Sequence, residues 1–496
     1  MQRIFIRQVR LLDGSGAPWQ WGNILIEGSK ILAMGHTEET ADLVIEGKGN
    51  LLVPGFIDLH THADRGILEF PLAENYLRQG VTTLIGGNCG GSAYPIKEHK
   101  LAVEQQGIAI NYGLLVGHGS IRQAVMGMEM RHPTPNEQTR MQDVLAKALE
   151  DGALGMSLGL YYTPGSYAKT DEVVGLAKVV AQYHGFVSIH MRDESDYNIG
   201  LLASIEEAIE IARKANVAVQ ISHLKCLGRS VWGQSKAALT RLEQARDEGL
   251  DVSFDQYPYI ASGTSLTGAL IPGWVQAGGR EEMLSRFLDD SLLPHIHQEV
   301  KNNIQRRGGA ESLVVAHYAP EPTYNGWSLA KIASFLELDE VETTLALLKQ
   351  GGVQIVSFNM LETDVETIMR HPLGMIGSDG SLVAFGEHVP HPRYYGTFPR
   401  VLAHYVEKGV ISFAEAIRRM TSAPASRLGL WNRGLLRPGM QADLLLLNEK
   451  EILDTATYEC PHAYPKGIEW VMVGGKMVLF HGEIQDKRAG TFVQRG

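Results

Sequence analysis

The sequence is poor in cysteine and contains neither a basic run nor a long apolar one. Three cysteines in 496 residues do not make the disulfide framework of a small secreted protein. A net charge of −11 without clustered lysine or arginine argues against a nucleic-acid partner. No stretch approaches the ~18 continuous apolar residues of a membrane span, and the first residues alternate as in a strand and have no apolar signal core. These absences predict a cytoplasmic protein with no nucleic-acid or membrane partner.

The composition is otherwise that of a globular protein, with 44% hydrophobic and 20% charged residues. A chain of this length can form one large domain and a smaller one. The acidic balance still allows a small anionic substrate, provided that a local arginine or lysine meets it. The sequence does not indicate the oligomeric state.

Both ends of the chain have the pattern of short strands separated by turns. Near the N-terminus we predict strands at 4–9, 23–27, 30–34 and 43–46. Near the C-terminus we predict strands at 442–447, 468–473 and 476–480, the last two joined by a Gly474-Gly475 hairpin turn. Neither segment can bury a good core alone. We therefore expect residues 1–54 and 421–496 to join in one small β-sandwich domain.

Between the two ends, apolar strands alternate with segments of helical period. The predicted strands are 55–60, 81–85, 110–116, 153–157, 186–190, 217–223, 251–255, 354–358 and 373–378. The predicted helices include 138–150, 171–184, 199–215 and 235–248. This alternation indicates the α/β class, and the strand number predicts a (β/α)8 TIM-type barrel over residues 55–420. One strand is surplus, 354–358 being the weakest, and an insertion at about 264–352 could cover the barrel mouth as a lid.

A His-x-His motif, His60 and His62, stands at the end of the first predicted barrel strand. Two residues of that spacing on a strand point to the same face, roughly 6.5–7 Å apart, and both imidazoles could reach one metal ion. A strand end with two partly exposed histidines is the more common reading of such a motif taken alone.

Metal-binding side chains recur where the other predicted strands end, and in a barrel the chemistry collects at these ends. The set is His60, His62, Cys89, His190, His223 and Asp379. Each has an ordinary alternative, since a cysteine in a Gly-rich turn is usually inert and an aspartate in Ser-Asp-Gly is often a cap. Together they favour a site for one or two zinc ions. His118, after the third strand, is better explained as a loop residue.

With these residues the chain resembles the amidohydrolase superfamily and, within it, the N-acyl-D-amino-acid deacylases (D-aminoacylases). The resemblance covers nearly the whole length. The motifs specific to the deacylase branch are the strand-two Cys89 and His391-Pro392-Arg393 followed by Gly396-Thr397-Phe398-Pro399-Arg400.

The resemblance implies one tight Zn²⁺ held by Cys89, His190 and His223. It implies a second, weaker Zn²⁺ site formed by His60 and His62, which would share Cys89. Segment 155–160 has no lysine, whereas dihydroorotases and hydantoinases carbamylate a lysine there to bridge two metals. The Cys89 thiolate would take that place, because thiolates are strong zinc ligands.

The function implied is zinc-dependent hydrolysis of N-acyl-D-amino acids to a carboxylate and a free D-amino acid. Asp379 would act as general base on the attacking water and as general acid toward the leaving amine, which suits a carboxylate of raised pKa or one that shares a proton. Arg393 and Lys225 would bind the substrate carboxylate, and Tyr257 would hydrogen-bond the substrate. A solvated loop lysine is the alternative for Lys225.

Two other functions stay open from the sequence. One is a cyclic amidase (hydantoinase- or dihydroorotase-like) or a dipeptidase on the same scaffold, against which the missing strand-four lysine counts. The other is a non-catalytic, amidohydrolase-like scaffold protein, against which the complete set of metal and base positions counts. The preferred acyl chain and amino-acid side chain are not predicted.

Overall fold

The computed structural model describes residues 1–36, 39–485 and 487–495. Its first strands are β1 (Arg3–Leu11), β2 (Gln20–Glu27), β3 (Lys30–Gly35), β4 (Leu43–Glu46), β5 (Leu51–Pro54), β6 (Phe56–Asp58), β7 (Val81–Gly86), β8 (Asn111–Leu114), β9 (Val116–Gly117) and β10 (Gly155–Gly159). The later strands are β11 (Phe186–His190), β12 (Ala218–Ile221), β13 (Val252–Gln256), β14 (Ala261–Ser265), β15 (Leu313–Tyr318), β16 (Val353–Phe358), β17 (Gly374–Ile376), β18 (Leu444–Leu447), β19 (Ile468–Val473), β20 (Lys476–Phe480) and β21 (Glu483–Ile484).

The helices, in chain order, fall mostly between the strands of the central region. The first are α1 (Glu74–Leu77), α2 (Ile96–Gln106), α3 (His118–Met126), α4 (Pro135–Glu150), α5 (Thr170–Gln182), α6 (Leu201–Ala215), α7 (Ser235–Asp247), α8 (Leu266–Leu270) and α9 (Gly273–Gln276). The others are α10 (Arg280–Arg286), α11 (Leu293–Arg306), α12 (Leu329–Leu336), α13 (Glu340–Gln350), α14 (Glu362–Arg370), α15 (Arg393–Arg400), α16 (Phe413–Met420) and α17 (Ser422–Leu428). Within the described ranges, none of these helices has the length and apolar character needed to cross a membrane.

The two chain ends form one nine-stranded sheet. Its order is β21-β20-β19-β18-β5-β1-β2-β3, with β4 paired to β1. Strands β5 and β18 join the two ends in antiparallel register, with Leu446 opposite Leu52. Strand β1 pairs with β4 along its first half and with β5 at its end, so the sheet branches there. The expected pairing of the two ends is therefore present, and their buried side chains, such as Ile24 and Trp470, form a separate apolar cluster.

The central region contains two parallel sheets, as expected for the α/β class. One has the order β6-β7-β8 and the other β17-β13-β12-β11-β10-β9. Backbone hydrogen bonds link their edges, from Leu154 N to Leu114 O at 2.9 Å and from Asp379 N to His60 O at 2.8 Å. Because all pairs within these sheets are parallel, the strands present their carboxyl ends on one side.

One strand prediction is wrong in detail. The strand expected at 110–116 is interrupted at Leu115, whose N–H is donated to Gly86 O, so it appears as β8 and β9. The strand at 354–358, the one named as surplus, is β16, and it lies outside the parallel sheets in an antiparallel sheet of order β14-β16-β15. A short apolar run does not tell a parallel from an antiparallel strand, so only the structure separates them. Buried residues of the segment that connects β14 to β16, such as Ile296 and Leu348, form an apolar cluster of their own.

Candidate metal centre

Six side chains converge beyond the carboxyl ends of the parallel strands. They form two groups whose ligand atoms lie within 4.8 Å of one another, the first being His60, His62, Cys89 and Asp379, and the second Cys89, His190 and His223. Cys89 belongs to both, since its Sγ lies 3.4 Å from Nε2 of His60 and 3.4 Å from Nε2 of His223. The structure thus brings together every residue that the sequence suggested as a metal ligand, with Asp379 beside them.

His60 and His62 do not lie on a strand, contrary to our expectation. Strand β6 ends at Asp58, and both histidines follow it. Their rings are 6.1 Å apart with planes at 76°. The segment is held instead by the loop after the last parallel strand, because His62 N donates to Gly380 O at 2.7 Å and Asp379 N to His60 O. The two rings are therefore placed by an isolated parallel β-bridge between Thr61 and Gly380, beyond the ends of β6 and β17.

Three residues of the centre have a left-handed backbone conformation. The φ angles are 55° at Cys89, 36° at His223 and 50° at Asp379. Each such residue costs about 1–3 kcal/mol when it is not glycine, so the surrounding contacts must hold it. At His223 the backbone N–H donates to Oδ1 of Asp255 at 2.8 Å. Strain at three positions that turn side chains toward one point is typical of a functional site.

Two carboxylates lie next to the histidine rings. Nδ1 of His60 lies 3.0 Å from Oδ1 of Asp255, and Nδ1 of His223 lies 3.0 Å from Oε1 of Glu194 and 2.7 Å from Nζ of Lys225. A zinc-binding histidine donates its other ring N–H to such a carboxylate, which leaves Nε2 as the lone-pair nitrogen for the metal. Neither Glu194 nor Asp255 was predicted as part of the site. The available signal was the position of Asp255 at a strand end and of Glu194 four residues after His190.

The pKa values favour a thiolate at Cys89 and a neutral imidazole at His190. Burial alone would raise the pKa of the Cys89 thiol, but His60 and His223 bring that pKa well below its usual value. Burial is the main cause of the lowered pKa of His190. Burial would also lower the pKa of His60 and of His223, but nearby anionic groups raise both, to about 9 for His223. Metal binding needs a thiolate and neutral imidazoles, so a zinc ion would displace protons from these two rings. A thiolate with imidazole nitrogens is a donor set that fits zinc.

Asp379 is tied to Arg393. One carboxylate oxygen lies 3.0 Å from Nε2 of His62, and the other lies 2.9 Å from Nη1 of Arg393. Burial would raise the pKa of Asp379, but Arg393, with smaller contributions from the histidines, holds that pKa well below its ordinary value. Of the two conditions that suit a proton carrier here, a raised pKa or a shared proton, the first is therefore not met. The ion pair with Arg393 could not be seen in the sequence.

A cavity of about 630 Å³ opens at this centre and is lined by the three residues expected to bind substrate, Lys225, Tyr257 and Arg393. Lys225 is buried, with Nζ 2.6 Å from Oε1 of Glu194, so it is not a solvated loop lysine. The ring of Tyr257 lies 4.9 Å from the Arg393 guanidinium and 5.7 Å from the Lys225 ammonium. Within the described ranges, the buried Tyr257 hydroxyl and Arg393 Nε have no hydrogen-bond partner. Both groups are therefore available to a ligand.

Other residues behave as ordinary structural groups. His118 is buried, lies outside both ligand groups, and contacts Glu172 with Nε2 2.9 Å from the carboxylate. Cys226 is buried and also outside them, in agreement with the choice of Cys89 alone as thiolate ligand.

The family model of the amidohydrolase family matches residues 43–479. The chain belongs to the amidohydrolase family. It is 33% identical to the N-acyl-D-glutamate deacylase of Alcaligenes xylosoxydans xylosoxydans, over 98% of this chain and 95% of that protein. It is 31% identical to the D-aminoacylase of the same organism, over 98% of this chain and 96% of that one.

A solved amidohydrolase structure is also similar over the full length. It is the N-acyl-D-glutamate deacylase from Bordetella bronchiseptica, complexed with zinc and with a phosphonate inhibitor that mimics the tetrahedral intermediate. The TM-score is 0.86 at 31% identity, and the match covers 100% of both chains.

Proposed function

We propose that this protein is a zinc-dependent deacylase that hydrolyses the linear amide bond of N-acyl-D-amino acids. The products would be a carboxylate and a free D-amino acid. The observation that carries the proposal is that Cys89, His190 and His223 converge with Asp379 in one cavity, next to Arg393. Membership of the amidohydrolase family and full-length similarity to two deacylases support it.

In this proposal Cys89, His190 and His223 hold the tight zinc ion, and His60 and His62 with Cys89 hold a second, weaker one. Zinc would supply Lewis acidity toward the scissile carbonyl and would lower the pKa of a water molecule. Zinc fits because the donors are sulfur and imidazole nitrogens, the thiol pKa is lowered, and a carboxylate lies 3.0 Å from Nδ1 of His60 and another 3.0 Å from Nδ1 of His223.

Asp379 is the proposed proton carrier, taking a proton from the attacking water and delivering it to the leaving amine. This carboxylate is paired with Arg393 at 2.9 Å. A substrate carboxylate that binds Arg393 would compete for the guanidinium and free Asp379 for proton transfer. Substrate binding and the availability of the base are therefore coupled through Arg393.

Arg393 is the proposed main receptor for the substrate's α-carboxylate, because its planar fork can bind a carboxylate with two hydrogen bonds. Lys225 adds positive charge, but Glu194 already compensates that charge at 2.6 Å. The Tyr257 hydroxyl, which lacks a partner among the described residues, would donate to or accept from the substrate.

We also propose that the two parallel sheets close into a (β/α)8 barrel over residues 55–420, interrupted by an insertion at about 264–352. The edge hydrogen bonds support closure, and Arg307, His317 and Gln354 of the insertion and its strands line the cavity in the manner of a lid. Residues 1–54 and 421–496 would form a β-sandwich domain from their shared sheet. We place the protein in the cytoplasm, without a nucleic-acid or membrane partner, on the charge and cysteine content.

A substrate panel tests the proposal against a cyclic amidase and a non-catalytic scaffold. Strand β10 (Gly155–Gly159) has no lysine that could be carbamylated, which favours a linear amide. The zinc-loaded protein should hydrolyse N-acetyl-D-amino acids, and should leave the L-enantiomers and a hydantoin unchanged. Hydrolysis of the hydantoin alone would replace our substrate class, and no turnover of any of them would favour the scaffold protein.

A further inference from the structure

The cavity is lined by a buried guanidinium that has no carboxylate partner among the described residues. Its cationic side chains are Arg65, Lys225, Arg307 and Arg393. Lys225 pairs with Glu194, Arg393 pairs with Asp379, and Arg65 is exposed. Arg307 is only 2% exposed, and its recorded polar contacts across the described ranges are all to neutral groups.

The contacts of Arg307 leave part of its donor capacity unused. Nε donates to Ala269 O at 3.4 Å, Nη1 to Ser357 Oγ at 3.4 Å, and Nη2 to the Tyr161 hydroxyl at 3.1 Å. The first two are long for N–H···O bonds. A guanidinium has five N–H groups, so these three bonds leave one N–H on each terminal nitrogen. Donors on the two terminal nitrogens of one guanidinium can bind the two oxygens of a carboxylate.

Burying the Arg307 charge costs free energy unless an anionic ligand binds to it. Removing a charged group from water costs several kcal/mol or more when no opposite charge compensates it. The ring of Tyr197 lies 5.7 Å from the guanidinium, and this cation–π contact offsets only part of the desolvation cost. The buried Tyr197 hydroxyl itself has no hydrogen-bond partner among the described residues, and Tyr197 also lines the cavity. If Arg307 served only to hydrogen-bond the Ala269 carbonyl, a neutral donor would be sufficient, so the charge indicates a further role.

This guanidinium is one tyrosine side chain away from the candidate metal centre. The ring of Tyr161, whose hydroxyl contacts Arg307, stacks on His190 with centroids 5.8 Å apart and planes at 29°. Arg393, by contrast, lies beside Asp379. A substrate whose amide lies at the centre could therefore present two separate carboxylates to two separate arginines.

We propose that Arg307, with the hydroxyls of Tyr161 and Tyr197, binds a second carboxylate of the substrate. The preferred substrates are then N-acyl-D-amino acids with two anionic groups, and this inference rests on the proposed deacylase function. The second carboxylate comes either from an acidic D-amino-acid side chain or from a dicarboxylic acyl group, two sources with the same chemistry.

Two matched substrate pairs test the proposal and separate the sources. The first pair is N-acetyl-D-glutamate against N-acetyl-D-glutamine, and the second is N-succinyl-D-leucine against N-succinamoyl-D-leucine. The variants are Arg307→Met and Arg307→Lys, with Arg140→Met as matched control. Arg140 is exposed on helix α4 and does not line the cavity, so its replacement makes the same charge change away from the site.

In one of the two pairs, the wild-type protein should prefer the substrate with the second carboxylate over its amide analogue. That pair identifies whether the second carboxylate comes from the amino-acid side chain or from the acyl group. Arg307→Met should lower kcat/KM for that substrate by about 10- to 100-fold, the value of a charge-assisted hydrogen-bonded contact, and change its neutral partner little. Arg307→Lys should retain part of the preference, and Arg140→Met all of it. An equal loss on both members of a pair would assign Arg307 a structural role and overturn the proposal, as would a wild-type protein that treats both pairs alike.

Calorimetric titration with glutarate gives a readout that does not need turnover. Wild type should bind glutarate more tightly than butyrate, and Arg307→Met should remove this difference while its melting temperature shows that it is folded. Equal binding of glutarate by wild type and variant would contradict the site. If glutarate binding depends on Arg307 but no N-acyl-D-amino acid is hydrolysed, the anion site stands and the deacylase function fails.

Discussion

At the scale of single residues, Cys89 is the side chain on which both ligand groups depend. Its sulfur lies between the imidazoles of His60 and His223, and their charges account for the lowered pKa of the thiol. The two groups differ in their other members, because His190 belongs to one and His62 to the other. Replacing a residue of one group should therefore leave the other able to bind metal.

The variant His62→Asn should lower activity by about tenfold or more while one zinc ion stays bound, because the Cys89–His190–His223 group is untouched. Zinc content per chain, measured by atomic emission after dialysis, checks this. His132→Asn, outside both ligand groups, serves as the control. A protein emptied of zinc by His62→Asn would show that the tight site is assigned to the wrong group.

Glu194 should act on the metal through His223. Its Oε1 lies 3.0 Å from Nδ1 of His223 and 2.6 Å from Nζ of Lys225, both buried. The variant Glu194→Gln should weaken zinc binding by about 10- to 100-fold, as is typical when the partner of a ligating histidine is changed. Competition with a chromophoric chelator measures the affinity. The exposed Glu206→Gln should be unchanged, and equal affinities for all three proteins would refute the orienting role.

The residue types of the site could be predicted from the sequence, but their mutual contacts could not. His60, Cys89, His190 and His223 were found because they follow apolar strands in a chain whose strands align in parallel. The ion pair of Asp379 with Arg393 joins a strand end to helix α15 and depends on tertiary packing. Arg307 gave no signal at all, because nothing local distinguishes it from the exposed Arg306.

At the scale of elements, a buried charge cluster ties helix α3 to helix α5. Glu172 accepts a hydrogen bond from Nη1 of Arg122 at 2.5 Å, and its carboxylate lies 2.9 Å from Nε2 of His118. Burial would raise the pKa of Glu172, but His118 and Arg122 lower it below the ordinary value of 4.5. A carboxyl with a depressed folded-state pKa stabilises the fold above its ordinary pKa and loses this contribution as the pH falls through the folded value.

The variant Glu172→Gln should therefore be destabilised at pH 7 by about 3–5 kcal/mol, because Arg122 is left buried without a charge partner. The difference from wild type should shrink as the pH falls below 4.5, the ordinary value for this carboxyl. Urea unfolding of both proteins at a series of pH values measures it, and effects common to both cancel. A difference that stays constant down to pH 3 would contradict the depressed pKa.

The strand positions of the chain ends and of the parallel sheets were predicted to within a few residues, since alternation and turn residues are local signals. These local signals do not show that the strand at 354–358 belongs to an antiparallel sheet. Strand β16 is as apolar as its parallel counterparts, and its register with β14, Ser357 opposite Ser262, depends on the whole segment between them.

At the scale of the whole molecule, the terminal sheet and the parallel sheets share a buried polar contact. Asp443, next to β18, accepts from Asn111 of β8 at 3.1 Å, from Arg433 at 2.9 Å and from the Gly474 backbone at 2.8 Å. The sheet built from both ends is thereby fixed against the strands that present the metal centre. The sequence predicted that the ends meet, but it could not indicate where they dock.

The central claim is that a zinc ion at Cys89, His190 and His223 supports hydrolysis of N-acyl-D-amino acids, and one titration tests it most directly. Metal-free protein is titrated with zinc while the kcat/KM for an N-acetyl-D-amino acid and for its L-enantiomer is followed. We predict no turnover without metal, activity on the D-enantiomer that rises to a plateau at one zinc per chain, and none on the L-enantiomer. Activity without metal, or equal turnover of both enantiomers, would contradict the account.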